Sequence, residues 1–332
     1  MFLNRRHLVA HAAALSVIAP LAGLCGQAHA ANAADHWPAR PIRLVVPFAA
    51  GGANDLMARS AAEGASKILG HPVIIDNRAG AGGTVGADIV AKAAPDGYTL
   101  LVSAAGVISN SMIKKSMPFK DDALQPVVMI GLAPSVIVVP KTAPYNNLRD
   151  FVEASKKGQG FNFATAGTGS TPHFVAEMLN VKYGAQLQPV PYKSGSESTT
   201  AVLGGQVEGT SEASIIALPH ILNEGKFKPL ATTWTQRISA YPQLSTAVEQ
   251  GFADLQIAHW AGIHAPKGTP TAILDKLAAA VDKAMKDPAT AEKLKGLGIE
   301  PVGGTRPEFV KFVDAERKRL GEIVKAAHMQ EK

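Results

Sequence analysis

The 332-residue sequence has one cysteine, Cys25, and few aromatic residues, 6% of the total. Cys25 falls in an N-terminal segment with the pattern of a removable signal. The mature chain then has no thiol, which excludes disulfides, a cysteine nucleophile and thiolate metal ligands. Runs of like charge are also scarce. Among lysines and arginines beyond the N-terminal segment only Lys114-Lys115, Lys156-Lys157 and Arg317-Lys318-Arg319 adjoin, and none is interleaved with aromatics, so the net charge of +6 reads as solvated faces and nucleic acid is not an expected partner. No His-Glu-x-x-His appears, and His220, His259 and His264 do not have ligand spacing, so neither metal nor cofactor is expected. Beyond the first 30 residues no segment is apolar over the roughly 20 residues that a membrane span needs.

What is present begins with Arg5 and Arg6, followed by an apolar run from Leu8 to Cys25 and the small-residue triplet Ala28-His29-Ala30. This is the pattern of a secretory signal over residues 1–30, cleaved after Ala30, which predicts a periplasmic mature protein. Asn4-Arg5-Arg6-His7-Leu8 also suits twin-arginine export, so both routes stay open. Leu24 is not the small residue that a lipoprotein box requires before Cys25, and no lipid anchor is expected. Processing removes two arginines and no acid, leaving a charge of +4. With 46% hydrophobic residues, positions 31–332 suffice for one large core or two ordinary ones.

From Ile42 onward a short β-branched run repeatedly meets a glycine-rich loop that opens a helical pattern, which is α/β punctuation. Ile42 to Phe48 reads as a buried strand, and a helix follows from Asp55 to Leu69, capped by Asn54 or Asp55. Val73 to Asp76 is a second strand, Thr84 to Ala93 a helix and Thr99 to Ser103 a third strand. A less regular stretch and two apolar runs, Val127 to Gly131 and Val136 to Val139, precede a second series of the same kind. That series contains strands at Phe161 to Thr165 and Val190 to Tyr192. The tail returns to helices, capped by Thr269 with Pro270 in the first turn, and is expected to rejoin the first half. Two α/β lobes whose loops face a shared cleft are the expected architecture, with chain crossings near 131 to 138 and 257 to 265.

Three loops carry the candidate chemistry. In the first, Ala49, Ala50, Gly51 and Gly52 lead to Asn54 and Asp55. In the second, Gly82 and Gly83 lead to Thr84. In the third, Gly167, Thr168, Gly169, Ser170 and Thr171 follow Thr165 and lead to His173. Glycines let backbone N–H groups turn inward, and a helix start adds unpaired donors and partial positive charge, so each loop suits an anion. A tight turn is the plainer reading of any single loop. None matches a dinucleotide or P-loop fingerprint. A hydrogen bond to a charged group contributes about 1.5–3 kcal/mol, so about four donors supply roughly 6–12 kcal/mol against the ~8 that micromolar binding needs. Both lobes must therefore contribute. Ser103, Lys193, Ser194, Ser196, Ser211 and Glu212 are the polar candidates for specificity, the plainer readings being a solvated strand end for Lys193 and a surface acid for Glu212. In the cleft, Glu212 would repel a second carboxylate and favour a hydroxyl or ammonium on the ligand. Ser170 and His173 are the nearest approach to a hydrolytic pair, without a Gly-x-Ser-x-Gly elbow.

Trp37-Pro38-Ala39-Arg40-Pro41-Ile42, then Gly51-Gly52 and Asp55, resembles the opening of Bug-type receptors, the extracytoplasmic binding subunits of tripartite tricarboxylate transporters. Asp76-Asn77-Arg78-Ala79-Gly80, Ala94-Pro95-Asp96-Gly97-Tyr98, Val190-Pro191-Tyr192-Lys193, Leu203-Gly204-Gly205-Gln206 and Ala265-Pro266-Lys267-Gly268 are similar to further blocks of that family. The resemblance implies a Venus-flytrap fold, with one lobe at 31–133 and 262–332 and the other at 134–261. It also implies capture of a small organic carboxylate by main-chain and hydroxyl groups, delivery to membrane permease subunits, and no enzymatic activity. It carries ligand contact onto the Ala49 to Asp55 loop, Gly82-Gly83-Thr84 and Ala166 to His173. The chain departs from the family at Thr210 to Ile216, where an Asp-Asn pair followed by a proline is common and Glu212-Ala213-Ser214-Ile215 stands here. A monomer is expected. Two other roles are weighed: a sensor subunit presenting its ligand to a membrane kinase, which shares every binding feature, and a periplasmic serine hydrolase.

Overall fold

The computed structural model describes residues 36–331, and the signal read at residues 1–30 lies outside them. The chain opens with β1 (Ile42–Val46), α1 (Ala53–Leu69), β2 (Val73–Asn77), α2 (Thr84–Ala91), β3 (Thr99–Ser103) and α3 (Ala105–Ile113). β1 pairs in parallel with β2 and β3, so α1 and α2 are crossovers packed back on the sheet. The long strand β4 (Leu124–Pro140) follows. The second series is α4 (Leu148–Ser155), β5 (Phe161–Thr165), α5 (Thr171–Tyr183), β6 (Leu187–Pro191), α6 (Gly195–Leu203), β7 (Gly209–Ala213), α7 (Ser214–Leu222) and β8 (Phe227–Thr232). Then come β9 (Ala258–Pro266), α8 (Thr271–Lys286), α9 (Pro288–Gly296), β10 (Glu300–Pro301) and α10 (Arg306–Ala326). No helix among the described residues is long and apolar enough to cross a membrane.

β4 and β9 join the two α/β lobes. From Leu124 to Pro134, β4 pairs antiparallel with β9, which pairs with β3 on its other edge. From Ser135 onward β4 pairs with β7 and β8 instead, and β5 pairs in parallel with β6 and β7. The change of sheet falls at Pro134-Ser135, where a residue without an N–H removes no ladder bond that the next sheet uses. The two apolar runs seen in the sequence are thus one strand of 17 residues, because Ala133-Pro134 continues the extended backbone.

Three further sequence expectations are corrected. The stretch after Ser103 is the helix α3, whose N-cap Ala104 has no side chain to announce it. α1 begins at Ala53 on Gly52, not on Asn54 or Asp55, and α8 begins on Pro270 while Thr269 Oγ1 donates to the Pro266 carbonyl.

The core divides as the sheets do. Leu44, Met57, Leu100 and Ala261 pack with Leu277 and Val281 of α8, and Gly64 of α1 meets Ala284 so closely that a Cβ there would lie 2.5 Å from it. In the second cluster Phe151, Phe163 and Phe174 pack with Trp260 and with Phe309, Val313 and Leu320 of α10. α10 lies against β4, α3 and α5, and so touches both lobes. It starts on a complete capping box between Thr305 and Glu308.

Phe309 fits over Gly262 of β9, where a Cβ would lie 2.1 Å from the ring. Gly262→Ala should therefore cost about 1–3 kcal/mol of stability through overpacking, read as a lower urea midpoint, with most of it recovered by adding Phe309→Leu. An unchanged midpoint would contradict this seating of α10 on the crossing strands.

Candidate ligand-binding site

Four helix starts converge between the lobes. α1 and α3 of the first lobe present Gly52, Ala53 and Asn54, and Ala104, Ala105 and Gly106. α5 and α6 of the second present Ser170, Thr171 and Pro172, and Ser194 and Gly195. They line one cavity together with Phe48, Ala166, Glu212 and His259. At α1, α3 and α5 no side chain caps the first-turn amides, and only Ser194 accepts one, from Glu197. The free N–H groups and the positive ends of four helix dipoles give the cavity its polarity. No lysine or arginine lines it.

The lobes meet around this cavity. Ser196 Oγ donates to the Gly51 carbonyl at 3.0 Å and Ser109 Oγ to the Gly169 carbonyl at 3.2 Å. Gly82 faces Thr168 across the junction, with a φ of +65° and a carbonyl oxygen 2.5 Å from where a Cβ would stand, so only glycine permits this approach. The remaining cavity is about 30 Å³, room for two or three waters at roughly 10–15 Å³ each.

The floor holds two titratable groups. Glu212, on β7, is 2% exposed. Burial pushes its carboxyl up to about 8 against the opposing hydrogen bond with Thr210, so at neutral pH it is largely protonated. The expected repulsion of a second carboxylate therefore does not operate at that pH. His259 is pushed down to about 4 by burial, a backbone bond to Ser211 acting the other way, and it bonds Ser135 Oγ at 3.2 Å. Both side chains are neutral at pH 7.

The sequence-derived candidates separate into three groups. Gly52, Asn54, Ser170, Thr171, Ser194 and Glu212 line the cavity. Gly82, Gly83, Gly167, Thr168 and Lys193 line instead an outer groove of about 500 Å³ that shares Phe48 and Ala166 with it and also contains Lys114, Glu197 and Glu331. The rest line neither. Ala49, Ala50 and Gly51 form the rim turn, where the Gly51 N–H is taken by Asp55. Asp55 is fully buried, and its carboxylate is used up by Gly51, Arg59 and Asn77. These partners outweigh the desolvation that would raise its pKa and hold it below the usual range. Thr84 Oγ1 contacts Lys114 Nζ and Asn110 Nδ2, Ser103 Oγ donates to the Gly262 carbonyl, and Thr165 Oγ1 to that of Val190. The Gly169 N–H donates to His173 Nδ1, while Ser170 Oγ donates to the Gly167 carbonyl. Ser170 and His173 thus have other partners and form no Ser–His pair.

Sequence reasoning missed Ala104 to Gly106, because an alanine cap leaves no signal, and His259, which was considered only as a metal ligand and set aside for its spacing. A larger cavity of about 830 Å³ lies between α1 and α8–α9, lined by residues 60–68 and 282–294, where Lys67 pairs with Glu63 and Lys286 with Asp282.

The raised carboxyl has a consequence for stability. Glu212 moves from 4.5 to about 8 on folding, so the stability gained from its tighter proton is complete below pH 4.5 and lost as pH rises to about 8. Across that window the wild type should lose about 1.4 kcal/mol per pH unit relative to Glu212→Gln in denaturant titrations. Parallel pH dependence of the two proteins would show that the carboxyl is not held neutral.

A family model described as tripartite tricarboxylate transporter family receptor matches residues 57–329. Among solved structures, the periplasmic binding protein BugD is 33% identical with a TM-score of 0.83, covering 89% of this chain and 100% of that one. Rpa4515 of R. palustris, solved with adipate, is 30% identical with a TM-score of 0.84 over 88% of this chain and 98% of its own. MatC from Rhodopseudomonas palustris, with bound malate, is 31% identical with a TM-score of 0.80 over 87% of this chain and 100% of its own. The two lobes joined by β4 and β9, with helix starts facing one cavity, are thus those of a periplasmic solute receptor, and the chain belongs to the tripartite tricarboxylate transporter family of receptors.

Proposed function

We propose that this receptor, exported with its signal removed after Ala30, captures a small organic carboxylate between its lobes and hands it to membrane subunits of a tripartite tricarboxylate-type transporter. The observation that carries the reading is the convergence of four helix starts, two from each lobe, on a cavity with no cationic side chain. An acid group there takes its hydrogen bonds from main-chain amides and from Asn54 and Thr171. Roughly four such bonds, at about 1.5–3 kcal/mol each, supply about 6–12 kcal/mol before association costs, and apolar burial and closure supply the rest of what micromolar binding needs. The carboxylates named for Rpa4515 and MatC support the ligand class.

The lobes are taken as 31–133 with 262–332, and 134–261, and the change of sheet at Pro134-Ser135 supports that division. Since the cavity of about 30 Å³ is too small for an organic acid, entry requires the lobes to part. One copy of the chain supplies both halves of the site, so a monomer is sufficient.

A thermal-shift screen of organic acids tests the reading. An acid at about 100 times its Kd should add roughly 2.7 kcal/mol of stability. Gly52→Val should abolish that response while the fold survives, because Gly52 has a φ of −77° and a Cβ there would be 3.9 Å from Ser194 Cβ of the other lobe. Stabilisation by no acid, or an undiminished response in the variant, would contradict it. Deletion of the gene should abolish uptake of the acid; loss of gene induction alone would favour the sensor role.

A further inference from the structure

We infer that Glu212 sets the specificity of this cleft and that the preferred ligand is a hydroxy acid, its carboxylate on the helix starts and its hydroxyl donated to Glu212 Oε2. The inference rests on the carboxylate-receptor reading above and names the ligand within it.

Thr210 Oγ1 lies 2.9 Å from the Ala164 carbonyl oxygen and 3.1 Å from Glu212 Oε1. A carbonyl only accepts and a threonine has a single hydroxyl hydrogen, so both contacts are satisfied together only when Glu212 carries a hydrogen on Oε1. Burial without a cation acts in the same direction, since Glu212 makes no ion pair and the other titratable group lining the cavity, His259, is neutral. Oε2 is then left as a carbonyl-type acceptor. It sits at the start of α6, in the space where a side chain at residue 195 would stand: a Cβ on Gly195 would be 2.1 Å from it.

No other lining side chain is positioned by a hydrogen bond to Oε2, so the donor comes from the ligand. A neutral acid does not repel a carboxylate in the same cavity. An ammonium is disfavoured as the donor, because it would meet four positive helix ends and no negative side chain. A hydroxyl carries no such penalty. The geometry therefore selects a ligand that is an anion at one end and a neutral donor beside it.

Matched acids separate this from simple carboxylate capture. Calorimetric titration at pH 7 would compare malate with succinate, lactate with propionate, and 3-hydroxybutyrate with butyrate. The hydroxy member of at least one pair should bind about tenfold or more tightly, the size of one hydrogen bond to a buried acceptor. Glu212→Leu should shrink that preference to within about threefold. Glu212→Gln should keep it, because the amide nitrogen can serve Thr210 while its oxygen takes the place of Oε2. Equal binding within every pair, a preference that survives Glu212→Leu, or tighter binding of aspartate than malate would overturn the assignment and leave the receptor reading standing. Binding of none of these acids, nor of any acid in the wider screen, would remove both.

Discussion

Everything in the cleft depends on backbone amides that the helices themselves cannot satisfy. The first turn of an α-helix leaves its N–H groups unpaired, and in most helices a serine, threonine or aspartate takes one of them. Here the caps of α1, α3 and α5 are Gly52, Ala104 and Ser170, none of which does so with its side chain. Three helices thus point bare donors at one small space, and a fourth, α6, joins them with only Ser194 engaged. Such a site attracts an anion without a fixed cation, and its donors are rigid because each belongs to a helix held by a packed sheet.

That arrangement needs the backbones of two lobes to come very close, which explains the small residues around it. Gly82 against Thr168 leaves no space for a side chain, and Gly195 leaves space that the carboxyl of Glu212 occupies. The lobes are held in register by β4 and β9, each belonging to sheets on both sides of the junction or bordering it, and α10 braces the back of that junction through Phe309, Val313 and Leu320. The result is a site whose two halves are separately rigid and jointly complete only when they meet.

Much of this was legible in the sequence. The alternation of β-branched runs with glycine loops gave the strands β1, β3 and β5 nearly to the residue, because strands buried by helices on both faces read as short apolar blocks. The role of glycine loops was legible only in part. The first and third loops line the cavity, but the second, at Gly82 and Gly83, turned out to be a wall of the outer groove and a point of contact between lobes. Composition alone cannot separate a loop that binds from one that lets two backbones touch. Asp55 shows the same limit: an acid at a helix start is a candidate contact in sequence, whereas its partners Arg59, Asn77 and the Gly51 amide are visible only in three dimensions. α3 was invisible because its cap is an alanine. Glu212 was singled out among the polar candidates for specificity, yet its neutral state follows from burial, which no local pattern reports.

The most direct measurement is a crystal structure with a tightly bound acid from the screen. The account predicts carboxylate oxygens within hydrogen-bond distance of main-chain amides at the starts of at least one helix from each lobe, among α1, α3, α5 and α6. A carboxylate held instead by Lys114 and Lys193 in the outer groove, with those amides untouched, would contradict it.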